Sequence, residues 1–248
     1  MKKLCMLGLA LLAACAANAI PTLTGPTGGF ELPTAGIADK GITTAIDLAT
    51  SSSGIAWPNT RAEYGITKNL EVGAMYESVQ TGTDKTDIWN INCKYQLPLD
   101  LGKANVAVGA LYGQKVGGAI FHNWGVYASG TTPLFDTSAT VTIAYSGNLL
   151  HGSTLIAETR SLLMATSGST NGFTLGIADE KSLDKENAIG GEVIFGDKTR
   201  VFSELTNKTH ANLYLAHAFT DNFKVRVAYA GLFQSTAIYL GGAYNFNL

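Results

Sequence analysis

The 248-residue chain has few charges, three cysteines and, beyond its first twenty residues, no long apolar run. Each shortage excludes something. Charged residues make up 15% of the chain, against about 25% in an ordinary soluble domain. With 46% apolar residues and a formal charge of only −2, intrinsic disorder is excluded. Three cysteines in so long a chain exclude a small disulfide-stapled scaffold. No stretch past residue 20 approaches the roughly 18 apolar residues of a membrane helix, so a helical membrane protein is excluded. There is no basic footprint for nucleic acid. What is abundant is glycine, 28 residues. A large β-rich protein remains: a soluble sandwich or barrel, or a β-barrel in a membrane.

The N-terminus points to export. Lys2 and Lys3 precede the apolar run Leu4 to Ala14, and Ala17-Asn18-Ala19 follows. A basic region, a short apolar core and an A-x-A site make a secretory signal peptide over residues 1–19. Leu12-Ala13-Ala14-Cys15 also resembles a lipobox, in which Cys15 would be acylated. With cleavage after Ala19, Cys93 is the one cysteine left, and no internal disulfide forms. It sits among Trp89, Ile91, Tyr95 and Leu97 on an apolar face, where it reads as a small hydrophobe.

From residue 41 onward the dominant period is 2. Leu70, Val72, Ala74 and Tyr76 alternate with Glu71, Gly73, Met75 and Glu77. The same alternation runs through residues 89–97, 106–113, 223–230 and 238–248. It is the strand signal, and the runs match the roughly 9–11 residues of a tilted membrane-crossing strand. Turn-forming clusters divide residues 41–248 into 14 strands, or 12 if Leu155 to Ser167 is loop. The polar faces carry Gly, Ala, Ser, Thr and Asn more than Lys and Glu. Aromatic residues gather near strand ends, as at Trp57, Tyr64, Tyr95 and Phe223. No helix covers an open sheet edge, which closure would remove. These features predict an all-β, closed, antiparallel up-and-down transmembrane barrel, with its apolar faces outward.

The chain ends Tyr244-Asn245-Phe246-Asn247-Leu248. This resembles the C-terminal signature of Gram-negative outer-membrane β-barrels, whose alternate last residues are apolar or aromatic, although here Leu248 stands where Phe is usual. The resemblance implies that Tyr244, Phe246 and Leu248 form an assembly signal read by the barrel-assembly machinery. It also implies residence in the outer membrane among lipid and lipopolysaccharide. Residues Thr27 to Ala35 (TGGFELPTA) resemble the short Gly-plus-Pro-Thr-Ala segment of exopolysaccharide-associated outer-membrane barrels, with Gly29 in place of an apolar residue. "GITKNLEVGAMYE" and "AFTDNFKVRVAYA" resemble the strand–turn–strand units of porin-like proteins.

With both termini periplasmic, the turns at 67–69, 98–103, 133–137, 167–172, 196–198 and 220–222 are expected on the periplasmic side. Short outer loops then join the other strand ends. Residues 20–40 form a lead-in expected to pack in or against the lumen, and residues 41–248 form the barrel. Strand parity places Arg61, Glu63, Glu71, Glu77, Lys94, Glu158, Arg160, Arg200, Glu204, Lys224 and Arg226 on the lumen face, with Asp47 and Glu192. They would line a weakly selective aqueous channel or pair in a filled lumen. No HExxH, CxxC pair or Walker sequence marks a metal, nucleotide or other cofactor site. His151-Gly152-Ser153 is the one close His/Ser pair, with no orienting carboxylate nearby, so no enzyme is expected. The acidic cluster from Asp179 to Glu186 is expected in a solvated outer loop. A porin-like passive channel for small polar solutes is the leading reading. The alternatives are a non-conducting structural or exopolysaccharide-export accessory protein and a soluble periplasmic ligand-binding barrel.

Overall fold

The computed structural model describes residues 20–23, 25–29, 31–38, 41–51, 56–81, 84–117, 119–147, 171–196, 209–232 and 237–246. The signal peptide with Ala17 and Ala19, the Cys15 lipobox and Leu248 lie outside the described residues, as do Glu158, Arg160, Arg200, Glu204 and the His151–Ser153 pair. Two short strands come first, β1 (Ile20–Pro21) and β2 (Thr27–Gly28). Then follow β3 (Ile42–Ser51), β4 (Ala56–Thr67), β5 (Leu70–Thr81), β6 (Asp84–Gln96), β7 (Asn105–Gly117) and β8 (Ala119–Leu134). The chain continues through β9 (Thr137–Gly147), β10 (Asn171–Ser182), β11 (Asn187–Gly196), β12 (His210–Ala218), β13 (Phe223–Leu232) and β14 (Ala237–Phe246).

Strands β3 to β14 form one closed barrel in sequence order, each antiparallel to its neighbours. The last pairs with the first, from Phe246 opposite Ile42 to Ala237 opposite Ser51. Closure satisfies the edge strands, which a membrane core requires because it offers no water to unpaired N–H and C=O groups. The barrel therefore has 12 strands, and the count of 14 is corrected. The two surplus strands were read into residues outside the described set. The register leaves them no place in the wall: Gly147 already lies opposite Asn171, and Ile194 opposite His210.

The correction also moves the turns. The expected periplasmic turns at 167–172 and 196–198 belong to the opposite end. The turn at 183–186, between β10 and β11, lies at the same end as the start of β3 and the end of β14. The acidic cluster therefore shares the end at which β3 begins and β14 finishes, the end expected to be periplasmic. Its centre is a turn in which Asp184 Oδ1 accepts the N–H groups of Glu186 and Asn187 at 2.8 Å each. The Asn187 side chain, then these main-chain bonds, hold the Asp184 carboxyl below its ordinary range.

Alternation along each strand now has a direction. In β6, Ile88, Asn90, Asn92 and Lys94 are buried, while Ile91 and Tyr95 are exposed. In β14, Tyr239 and Ala243 are buried, while Ile238, Leu240, Tyr244 and Phe246 face outward. The same rule gives β3 an outward Ile46 and Leu48, and β12 an outward Leu213 and Leu215. Apolar side chains thus cover the outside, and polar and small ones the inside. A soluble barrel has the reverse arrangement, so the soluble alternative is set aside. An apolar surface of this extent is stable against lipid.

Candidate functional site: the barrel interior

The interior holds the chain's own N-terminal segment. Residues 20–23 rise along the wall, turn at Gly25 (φ +116°) and return so that β2 pairs with β1. Glycine is needed at this turn because positive φ crowds any Cβ. Leu23 is buried with Ala49, Met75, Ile88 and Tyr239, and Leu32 with Ala178 and Ile194. The segment leaves through Gly41 (φ +126°) into β3. From Ile20 to Pro33 every described residue is buried, and Gly36 is exposed near the segment's exit.

Most of the grip is polar. Glu71 and Lys94 stand opposite each other on β5 and β6 and form a fully buried ion pair at 2.9 Å. Glu71 accepts the Thr27 N–H at 2.9 Å, the Thr27 hydroxyl at 2.8 Å and the Ala38 N–H at 2.6 Å. Lys94 Nζ donates to the Thr27 carbonyl at 2.7 Å. Glu63 on β4 lies 2.7 Å from the same Thr27 hydroxyl, whose single proton the two carboxyl groups share. On β11, Glu192 accepts the N–H groups of Glu31 and Leu32 at 2.9 and 3.3 Å. Arg226 on β13 donates to the Gly29 carbonyl at 2.9 Å. Its guanidinium and that of Arg61 both pair with Asp47 on β3.

The opposite wall is uncharged. Ser129 on β8 and Thr142 on β9 both donate to the Pro33 carbonyl, at 2.8 and 2.9 Å, and Thr131 accepts the Ala35 N–H at 2.9 Å. The fit is close where the segment is thinnest. A Cβ on Gly28 would meet the Leu32 carbonyl and Pro33, and one on Gly29 would meet the Glu192 carboxylate.

Of the sequence-predicted lumen residues, Arg61, Glu63, Glu71, Glu77, Lys94 and Arg226 are buried on the inner face, as are Asp47 and Glu192. Lys224 lies two residues from Arg226 on the same face, partly exposed toward the barrel end. Asn59, Ser129 and Thr142 escaped sequence reasoning, which sought charges. Their inward parity was the available signal. Tyr244 and Phe246 are far from this site, on the outer wall. Among the described residues no group of His, Cys, Asp and Glu is arranged to hold a metal ion. His122 is outside the lumen, its Nδ1 2.7 Å from the Tyr112 hydroxyl. Cys93 is exposed on the outer wall.

No protein-family model matches the chain, and no curated protein sequence matches it. Solved structures do. The KdgM porin superposes with a TM-score of 0.60 at 12% identity, covering 82% of this chain and 99% of the porin. The NanC porin gives 0.57 at 10% identity, over 83% and 99%. The outer membrane protein Omp33 of Acinetobacter baumannii gives 0.53 at 8% identity, over 84% and 98%. The architecture is therefore that of outer-membrane porins, an all-β closed barrel with a polar interior.

Proposed function

We propose that the protein is an outer-membrane channel for small polar solutes, occluded in this state by its own residues 20–38. The polarity of the sealed interior carries the reading. Burying charge and unpaired polar groups is costly. A barrel used only as a scaffold could fill its lumen with apolar side chains instead. Here the buried carboxamides of Asn90 and Asn92 and the Tyr127 hydroxyl have no hydrogen-bond partner among the described residues. Groups of this kind are satisfied by water or a passing solute. One structure of the same architecture is the KdgM porin in complex with disordered oligogalacturonate, so the fold is compatible with solute binding. The outer wall would meet lipid and lipopolysaccharide, and the terminal Tyr244, Phe246 and Leu248 would serve the assembly machinery.

Conductance in planar bilayers tests this. Wild-type protein is expected to pass little current, and a variant lacking residues 20–38 to pass steady current. Silence from a folded deletion variant would remove the channel reading. It would favour the non-conducting accessory role, for which the filled lumen is the supporting observation.

A further inference from the structure

The way the lumen holds the N-terminal segment carries information about what else it would hold. Carboxylates take most of the segment's donors. Glu63, Glu71 and Glu192 receive five N–H or O–H groups, from Thr27 (two), Glu31, Leu32 and Ala38. Lumen cations receive two carbonyls, those of Thr27 and Gly29. A solute replacing the segment meets the same balance. It meets carboxylate acceptors more often than cationic donors.

Formal charge agrees. Among the inner-face residues whose side chains are described are the carboxylates of Asp47, Glu63, Glu71, Glu77, Glu180 and Glu192. Against these six stand four cations, Arg61, Lys94, Lys224 and Arg226. The cations are also committed. Arg61 and Arg226 share Asp47, and Lys94 is paired with Glu71. Glu63 and Glu71 converge so closely that one hydroxyl, that of Thr27, touches both. Once that hydroxyl withdraws, two carboxylates face each other across the space it filled. A cation relieves their repulsion and an anion worsens it.

We infer that the opened lumen is cation-selective and takes small cationic, N–H-rich solutes such as amines and guanidines in preference to anionic sugars. This rests on the channel reading above. Acidic rings select cations in other pores by the same electrostatics.

The test is a reversal potential in a KCl gradient across planar bilayers, using the barrel without residues 20–38. Heat-modifiable gel mobility checks that the protein is folded. Should the deletion not fold, the full chain carrying Gly28→Val and Gly29→Val expels the segment sterically without altering charge. Potassium is expected to exceed chloride in permeability by roughly tenfold, the lower end of what a charged cleft does to local ion concentration. Glu63→Gln with Glu192→Gln should bring the ratio toward one. Current with equal or chloride-favouring permeability would overturn the inference and leave the channel standing. No current from either opened variant would overturn both.

Discussion

Glu71 and Lys94 act together as a surrogate strand partner for a single residue of the N-terminal segment. The carboxylate takes the N–H of Thr27 at 2.9 Å, and the ammonium gives to its C=O at 2.7 Å. The two groups pair with each other at 2.9 Å. A sheet edge would have supplied the same donor and acceptor from a main chain. Here two side chains supply them from adjacent strands of the wall, so the segment is gripped without joining the barrel ladder.

The two charges are accordingly coupled. Removing one partner of a buried ion pair leaves the other uncompensated, at about 3–5 kcal/mol. Glu71→Ala is expected to cost that much by urea unfolding in lipid vesicles. Glu71→Ala with Lys94→Met should cost clearly less than the two single changes added together. Simple additivity in this double-mutant cycle would show that the pair is not what holds Thr27.

The segment's hold can be read independently of overall stability. Ala35 is fully buried, and its N–H is bound by Thr131. In a Cys93→Ala background, Ala35→Cys should react slowly with a bulky maleimide. Adding Glu192→Ala strands the N–H groups of Glu31 and Leu32. Each orphaned donor costs about 1–3 kcal/mol, so labelling should accelerate by at least roughly tenfold as the segment opens locally. An unchanged rate would mean that Glu192 does not restrain it.

How far the sequence discloses this structure depends on range. Alternation is local, so the inward parity of Glu63, Glu71 and Lys94 and the outward parity of Ile91, Leu240 and Tyr244 were legible. Strand number is not local. A polar stretch with apolar residues interspersed looks the same whether or not it pairs. Only the juxtaposition of Gly147 with Asn171 joins β9 directly to β10 and sets the count at twelve. The segment's partners were hidden for a related reason. Thr27 meets Glu63, Glu71 and Lys94 across separations that only closure of the barrel abolishes. The hydroxyls of Ser129 and Thr142 carry no charge to draw notice, yet both bind Pro33.

The outward face makes a depth-dependent prediction. Ile91, near the middle of β6, is 56% exposed, and Leu134, at the end of β8, is 49% exposed. Their exposure is similar, so water would treat a charge at either alike. A bilayer would not. Lysine at a mid-membrane, lipid-facing position costs about 2–4 kcal/mol, and near the interface about 0–1 kcal/mol. Ile91→Lys should therefore destabilise the barrel in vesicles by several times as much as Leu134→Lys. Equal costs would contradict the proposed lipid-facing band.

The 12-strand closure is tested most directly by removing what the closure does not use. Residues 148–170 connect β9 to β10, whose pairing already runs from Gly147 opposite Asn171 to Thr137 opposite Lys181. Replacing 148–170 with a short Asn-Gly turn suits an antiparallel hairpin and leaves every described ladder pair intact. Loop closure grows only logarithmically with length, at about 0.6 kcal/mol per doubling. The shortened chain should therefore be as stable as the parent or more stable by about 1–2 kcal/mol. It should keep heat-modifiable gel mobility and an unchanged β-type circular dichroism spectrum. A 14-strand barrel that drew its two further strands from this stretch would lose both by the same deletion, and their β signal with them. A fall in the β signal per molecule would therefore restore the larger count, whereas an unchanged spectrum fixes the wall at twelve.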